Sequence, residues 1–239
     1  MNTAAKILLW ISMFILGLFQ IKYMYANILN NKTCKGMNII DSMEFEKKAM
    51  KLNRDAVANL ANAAVKLDCL LVHISTDYVF DGTSDHPYTE KDTTNPQSVY
   101  GRTKLEGEQA IKKSGCLYII IRTAWLYSGY GHNFVKTISR LASERDELNV
   151  VSDQWGTPTY AGDLAEAIIS IMERDDLPEL EGVYHFTNEG ACTWYDFAKE
   201  IVAITGANCK VNPVTTEEYP SKVKRPAYSI LDKTKDRKS

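Results

Sequence analysis

The first third of this chain has little glycine: before Gly82 it holds only Gly17 and Gly36. A strand followed by a G-x-x-G-x-x-G turn, whose amides and helix start receive a pyrophosphate, is therefore not written there. Cysteine is sparse too. The five residues Cys34, Cys69, Cys116, Cys192 and Cys209 form no C-x-x-C pair and no Cys/His cluster. That argues against a zinc site or a disulfide framework and fits a reducing compartment. The four histidines are scattered, and His86, His132 and His185 have no partner at ligand spacing, so no metal is assigned. A formal net charge of −2 gives no electrostatic footprint for nucleic acid or for an anionic membrane. No repeat or low-complexity tract interrupts the chain.

One long apolar run is present, Ile7–Phe19 (ILLWISMFILGLF), and it falls short of the roughly 20 residues that span a bilayer. No small-x-small cleavage site comes directly after it. The adopted reading is a segment foreign to the remainder of the chain; a membrane anchor is the alternative. Asn27–Asp41 reads as connecting coil. Beyond it the chain is of ordinary soluble composition, 45% hydrophobic and 24% charged.

From Ser42 the pattern changes. Met50, Val57, Leu60, Ala61, Ala64 and Leu67 recur at helical spacing and lead into the apolar strand LLVHIS. A helix from Ser98 to Lys113, the strand CLYIIIRT, a helix near Asn133–Arg145 and the strand LNVV come next. Then come a helix Gly162–Glu173, the strand VYHFTN and a helix Trp194–Thr205 that Thr193 can cap. Strands alternating with amphipathic helices predict an α/β fold, a parallel sheet with crossover helices. The tail from Thr215 is charged, proline-punctuated and without a terminating element.

The chemistry concentrates in Leu70–Glu108. Tyr100 and Lys104 stand four residues apart, so they share a helical face. A phenol beside an ammonium is a means of proton exchange near neutral pH. Alone the spacing is that of a surface pair. Its context is stronger, because the preceding strand ends in Ser75-Thr76-Asp77 at the carboxyl edge, where open α/β sheets bind ligands.

At these residues the chain resembles the extended branch of the short-chain dehydrogenase/reductase superfamily. Six blocks narrow the likeness: HISTDYVFDG, PYTEKDTTNPQSVYGRTKLEGE, RTAWLYSGYGHNFVKTI, VVSDQWGTPTYAGDLA, VYHFTNEGACTWYDFAKEI and KRPAYSILD. In order and spacing they resemble the dTDP-4-dehydrorhamnose reductase family, from about Ser42 to Lys235. The resemblance implies a Rossmann-like domain with a small C-terminal substrate-binding lobe. It implies reduction of the 4-keto group of dTDP-4-dehydro-6-deoxy-L-mannose to dTDP-L-rhamnose with NADPH or NADH. Tyr100 would be the general acid, Lys104 would lower the Tyr100 pKa and hold the nicotinamide ribose, and Thr76 would bond the substrate oxygen. Asp77 and Trp125 would contact the sugar, which agrees with an aromatic face packing on a deoxysugar and a carboxylate accepting from hydroxyls. The implied setting is cytoplasmic, with a dTDP-sugar as partner, room for a homodimer, and no nucleic-acid or membrane partner.

The expected division is 1–41 for the non-family segment, 42–150 for the remaining part of the dinucleotide-binding domain and 151–239 for the sugar-nucleotide lobe. Against the family pattern, the glycine loop and the strands around it are expected to be missing, and the end to be cut short. Weak cofactor binding is the corresponding expectation. A non-catalytic regulatory subunit on the same fold, like that of methionine adenosyltransferase, is an alternative, as are an inactive fragment and a membrane-tethered binding protein. Softer candidates are Asp153-Gln154 and Thr157-Pro158-Thr159, a loop turn or a pocket wall, and Asn133 with Lys136, a solvated helix start or a nucleotide contact. Arg225 is an exposed tail residue or a diphosphate ligand. His73 is read as a satisfied core residue, Glu90, Glu106 and Glu108 as solvated or capping charges, and Trp155 and Trp194 as packing residues.

Overall fold

The structure, a computed structural model, describes residues 39–219 and 225–235. The apolar Ile7–Phe19 run lies outside them. Among the described residues no helix is long and apolar enough to cross a membrane.

The chain enters on α1 (Ile39–Met50), passes through a π-helical turn (Lys51–Asp55), and continues as α2 (Ala56–Leu67). Residues 39–41 are thus helical, where connecting coil was expected. The apolar stripe Val57, Ala61, Ala64 is the buried face of α2. Asp68, in the left-handed region at φ 48°, ends that helix and turns the chain into β1 (Leu71–Thr76). A 3₁₀ turn (Asp77–Val79) and a long loop lead to α3 (Val99–Ser114), which Ser98 caps by accepting from the Gly101 amide at 3.0 Å. Then come β2 (Tyr118–Thr123), β3 (Leu126–Tyr127), α4 (Phe134–Glu144), β4 (Glu147–Val151), β5 (Trp155–Gly156) and β6 (Thr159–Tyr160). They are succeeded by α5 (Ala161–Met172), β7 (Gly182–His185), β8 (Cys192–Thr193), α6 (Trp194–Thr205) and β9 (Lys210–Val214).

The main sheet is parallel in the order β1-β2-β7, with Thr76 level with Thr123 and Arg122 level with His185. Strand alternation sends Leu71 and Ile120 to one face, against Val57, Ala61 and Ile111 of α2 and α3. Val72, Ile119 and Ile121 go to the other, against Leu164 and Ile168 of α5. A separate core joins α4, β4, α6 and β9 through Ile138, Leu148, Ala198 and Ile201, with β4 and β9 paired in parallel. The two cores interleave along the chain: β1 to β2 serve the sheet, α4 and β4 the second core, α5 and β7 the sheet again, α6 and β9 the second core. The tail then returns to the sheet side, where Leu231 bridges to Tyr88 and packs with Val79 and Phe80. The tail read as charged and proline-punctuated thus forms a strap over residues 225–235, in which Ser229 and Leu231 are buried.

Two glycines set the height of α3. A Cβ on Gly101 would stand 2.1 Å from the Tyr78 carbonyl oxygen, and one on Gly107 would stand 2.2 Å from the Asn53 oxygen. The helix therefore lies backbone-close to the turn after β1 and to the π-helical turn. Gly101→Ala should cost about 1–3 kcal/mol in urea unfolding, the scale of an overpacked contact.

Candidate functional site

The site lies at the carboxyl edge of the main sheet. Parallel register brings Thr76 beside Thr123, while Asp77 opens the turn after β1. From α3, Tyr100 comes down onto this edge, near enough to the Thr76 hydroxyl for that group to favour its ionised form. Thr76 donates to Asp77 Oδ1 at 3.0 Å and accepts from the Tyr78 amide at 3.2 Å. Thr76, Asp77 and Tyr100, all singled out from sequence, are thus brought together. Tyr78 meets Tyr100 edge to face at 5.8 Å between ring centroids.

Lys104 sits one turn further along α3, 1% exposed. Its ammonium donates to the Ile74 carbonyl at 2.6 Å and lies 3.3 Å from His73 Nε2. Burial pushes Lys104 down to about 8, with the Glu108 charge acting the other way. The phenol of Tyr100 is moved the opposite way from the expected acidification. Burial leads and raises it, the Thr76 hydroxyl lowers it, and the Asp77 and Tyr78 charges add to the rise. Tyr100 accordingly holds its proton at neutral pH, the state a proton donor needs. Burial also raises Asp77, to about 6, against hydrogen bonds from Ser229, Thr76 and the backbone.

Beneath this edge lies a network read from sequence as solvated charge. Glu108 is fully buried, and Arg122 grips it with Nε at 3.0 Å and Nη2 at 2.8 Å, while the Ser75 hydroxyl donates at 2.5 Å. Burial opposes the Glu108 charge, yet Arg122, Ser75 and Lys112 outweigh it and hold the carboxyl below its usual range. A glutamate four residues after a lysine looks like an ordinary helix-surface pair; only the crossing of α3 over β1 and β2 makes it a core group.

Trp125 lies two residues past Thr123 with φ 48° and stacks on Trp194 at 3.5 Å and 10°. Gly156 packs so near that a Cβ there would stand 2.4 Å from the indole. One indole face is therefore taken by Trp194 rather than left open for a sugar. Trp194 packs as expected, whereas Trp155 is 45% exposed and joins the fold through its backbone, donating to Ala227 and accepting from Ser229, each at 2.8 Å. Asn133 is neither a solvated start nor a free ligand. Its Oδ1 caps α4 at the Lys136 amide, 3.1 Å, and its Nδ2 donates to Ser128 O at 2.6 Å. Thr157 turns inward to donate to Gly190 O at 2.8 Å, and Asp153 binds the Thr216 hydroxyl at 2.6 Å. Arg225 is half-buried; burial raises Tyr78 to about 12 and the Arg225 charge partly offsets that rise, so the strap brings a guanidinium toward the site.

Three buried oxygens near this edge have no hydrogen-bond partner: Asp77 Oδ2, Thr123 Oγ1 and Thr187 Oγ1. Thr123 ends β2 and Thr187 lies two residues past β7, so the three strand ends together present polar groups suited to a ligand's hydroxyl or amide. Thr123 and Thr187 were not singled out from sequence. The available signal was their place at the end of apolar strands, which becomes informative only once register aligns the strands.

Residues 38–239 match the family described as the RmlD substrate binding domain. The chain belongs to this family. Among its relatives, a dTDP-4-dehydrorhamnose reductase of Sinorhizobium fredii is 46% identical over 200 residues, 80% of this chain and 68% of that protein. One of Aggregatibacter actinomycetemcomitans is 44% identical over 205 residues, covering 82% and 70%. The Bacillus anthracis reductase solved in complex with NADP superposes with a TM-score of 0.77 at 41% identity, covering 81% of this chain and 68% of that one. The Clostridium acetobutylicum orthologue gives a TM-score of 0.75 at 50% identity, covering 79% and 66%. As a member of the RmlD family, the chain spans about two thirds of the length of these proteins.

Two measurements test the site's electrostatics. Asp77→Asn should leave stability unchanged below the ordinary carboxyl value of 3.8, where the acid is protonated folded or unfolded. Because the folded value is raised to about 6, the wild type loses stability as pH rises between these values. The variant should then be more stable by up to about 3 kcal/mol at pH 7 in thermal melts. Glu108→Ala should cost about 3–5 kcal/mol in urea unfolding, because it strands the buried Arg122 guanidinium.

Proposed function

We propose that this chain carries the proton-donating and sugar-binding machinery of a dTDP-4-dehydrorhamnose reductase, reducing the 4-keto group of a dTDP-linked 6-deoxyhexulose to dTDP-L-rhamnose. The observation that carries this reading is the convergence of Thr76 and Tyr100 at a sheet edge lined by unpartnered polar atoms, over a buried Lys104. That arrangement fits a ketone acceptor, which must receive a proton on oxygen as a hydride arrives on carbon.

The residues present also fit the nicotinamide end of a dinucleotide, since Thr123 and Thr187 offer unsatisfied groups there. NADPH or NADH supplies the hydride when bound. Thr76 bonds the substrate oxygen and orients the phenol. Tyr100 O–H gives its proton to that oxygen, and the buried Lys104 charge favours the phenolate left behind. Asp77 accepts from a sugar hydroxyl, while Trp125, steadied by Trp194, walls the pocket with its remaining surface. Arg225 is the candidate to meet the diphosphate. Nucleotide sugar and nicotinamide cofactor are both cytoplasmic solutes, so the proposed setting is the cytoplasm. A second copy of the chain is the protein partner to look for.

The test is a coupled assay monitoring NADPH oxidation with the dTDP-4-keto sugar. Tyr100→Phe should lower turnover by about 10²–10⁴-fold, the range for a lost general acid, while retaining dTDP-sugar binding by calorimetry. Sugar binding with no turnover in the wild type favours a non-catalytic regulatory role on the same fold.

A further inference from the structure

We propose that His73 is a positioning residue for Lys104, holding its ammonium as a hydrogen-bond acceptor from the strand beneath. The placement comes from strand alternation. Leu71, His73 and Ser75 share the face of β1 that meets α2 and α3: Leu71 packs on Val57 and Ile111, and Ser75 donates to Glu108. His73 stands between them, and its Nε2 is 3.3 Å from Lys104 Nζ.

An ammonium has three N–H donors and no acceptor, and a lysine that is 1% exposed must find its acceptors in the protein. The Ile74 carbonyl takes one at 2.6 Å. His73 can take another only with Nε2 unprotonated, which fixes the ring as the neutral tautomer carrying its proton on Nδ1. Burial, then the Lys104 charge, holds His73 well below its ordinary value, in keeping with a neutral ring. Glu108, Tyr100 and Asp77, the ionisable groups nearest Lys104 on α3 and at the end of β1, are each engaged with other side chains. Glu108, one turn on along α3, is taken by Arg122 of β2 and Ser75 of β1. Tyr100, one turn back, faces Thr76, and Asp77 at the strand end accepts from Thr76. Without an acceptor at 73 the buried amine would lose one of the bonds that fix its position under the sheet edge and would give up its proton more readily.

The inference rests on the proposed role of Tyr100 and Lys104, so one arm of the test is independent of turnover. Selective 15N-histidine NMR on the full chain reads the ring directly. The expected result is a neutral Nδ1-protonated His73 at pH 7 in the wild type, with protonation at a higher pH in Lys104→Met. A ring protonated on Nε2, or a titration unmoved by Lys104→Met, overturns the proposal even if the chain proves to reduce no sugar. In the coupled assay, His73→Phe should lower kcat about tenfold, the scale of one lost hydrogen bond to a charged group. The alkaline limb of its kcat profile should move to lower pH, with KM for the dTDP-sugar changed less than about twofold. His73→Gln, whose amide oxygen still accepts, should recover most of kcat. Equal losses in Phe and Gln, or no loss in either, overturn the positioning role. If the Phe variant fails to fold, the NMR comparison of wild type and Lys104→Met decides.

Discussion

A single buried carboxylate ties this structure together. Glu108 descends from α3 into the space between β1 and β2, where Arg122 and Ser75 satisfy it from the two strands. Burying an ion pair contributes little net stability, because desolvation offsets most of the attraction. What it does is specify. With one oxygen shared between Ser75 and Arg122 and the other on Arg122, the helix can neither roll nor slide without stranding a charge. Tyr100 and Lys104 ride on that same helix, so the register of the buried pair becomes the register of the reactive groups.

Close backbone approach does the rest. Gly101 and Gly107 let α3 settle onto the Tyr78 and Asn53 carbonyls, closer than any side chain would permit. The phenol then reaches the Thr76 hydroxyl while Lys104 reaches the backbone of β1. Burial of this cluster acts in opposite directions on its members. It raises the acids Tyr100 and Asp77 and lowers the base Lys104, so each is nearer its neutral form than in water. A site of this kind keeps its proton on the phenol until a reacting oxygen asks for it.

Much of this was legible in the sequence because it depends on local periodicity. The buried strands β1 and β2, the helix carrying Tyr100 and Lys104, and α6, which spans Trp194–Thr205 behind its Thr193 cap, all come from spacing and capping chemistry. What stayed hidden depends on non-local pairing. Glu108 looks solvated until β2 supplies Arg122, and Thr123 and Thr187 look ordinary until the sheet aligns their ends. Trp125 looks available until Trp194, far along the chain, stacks on it. The rise of Tyr100 was likewise invisible, since proximity to a lysine can be read from spacing while depth cannot.

The interleaving of the two hydrophobic cores has a genetic consequence. The polypeptide passes from the sheet to the α4–β4–α6–β9 unit and back again before the Leu231 strap closes over Tyr88. No single cut separates one core from the other. Recombination could not exchange the second unit as one continuous cassette. The architecture thus steers how its descendants can vary.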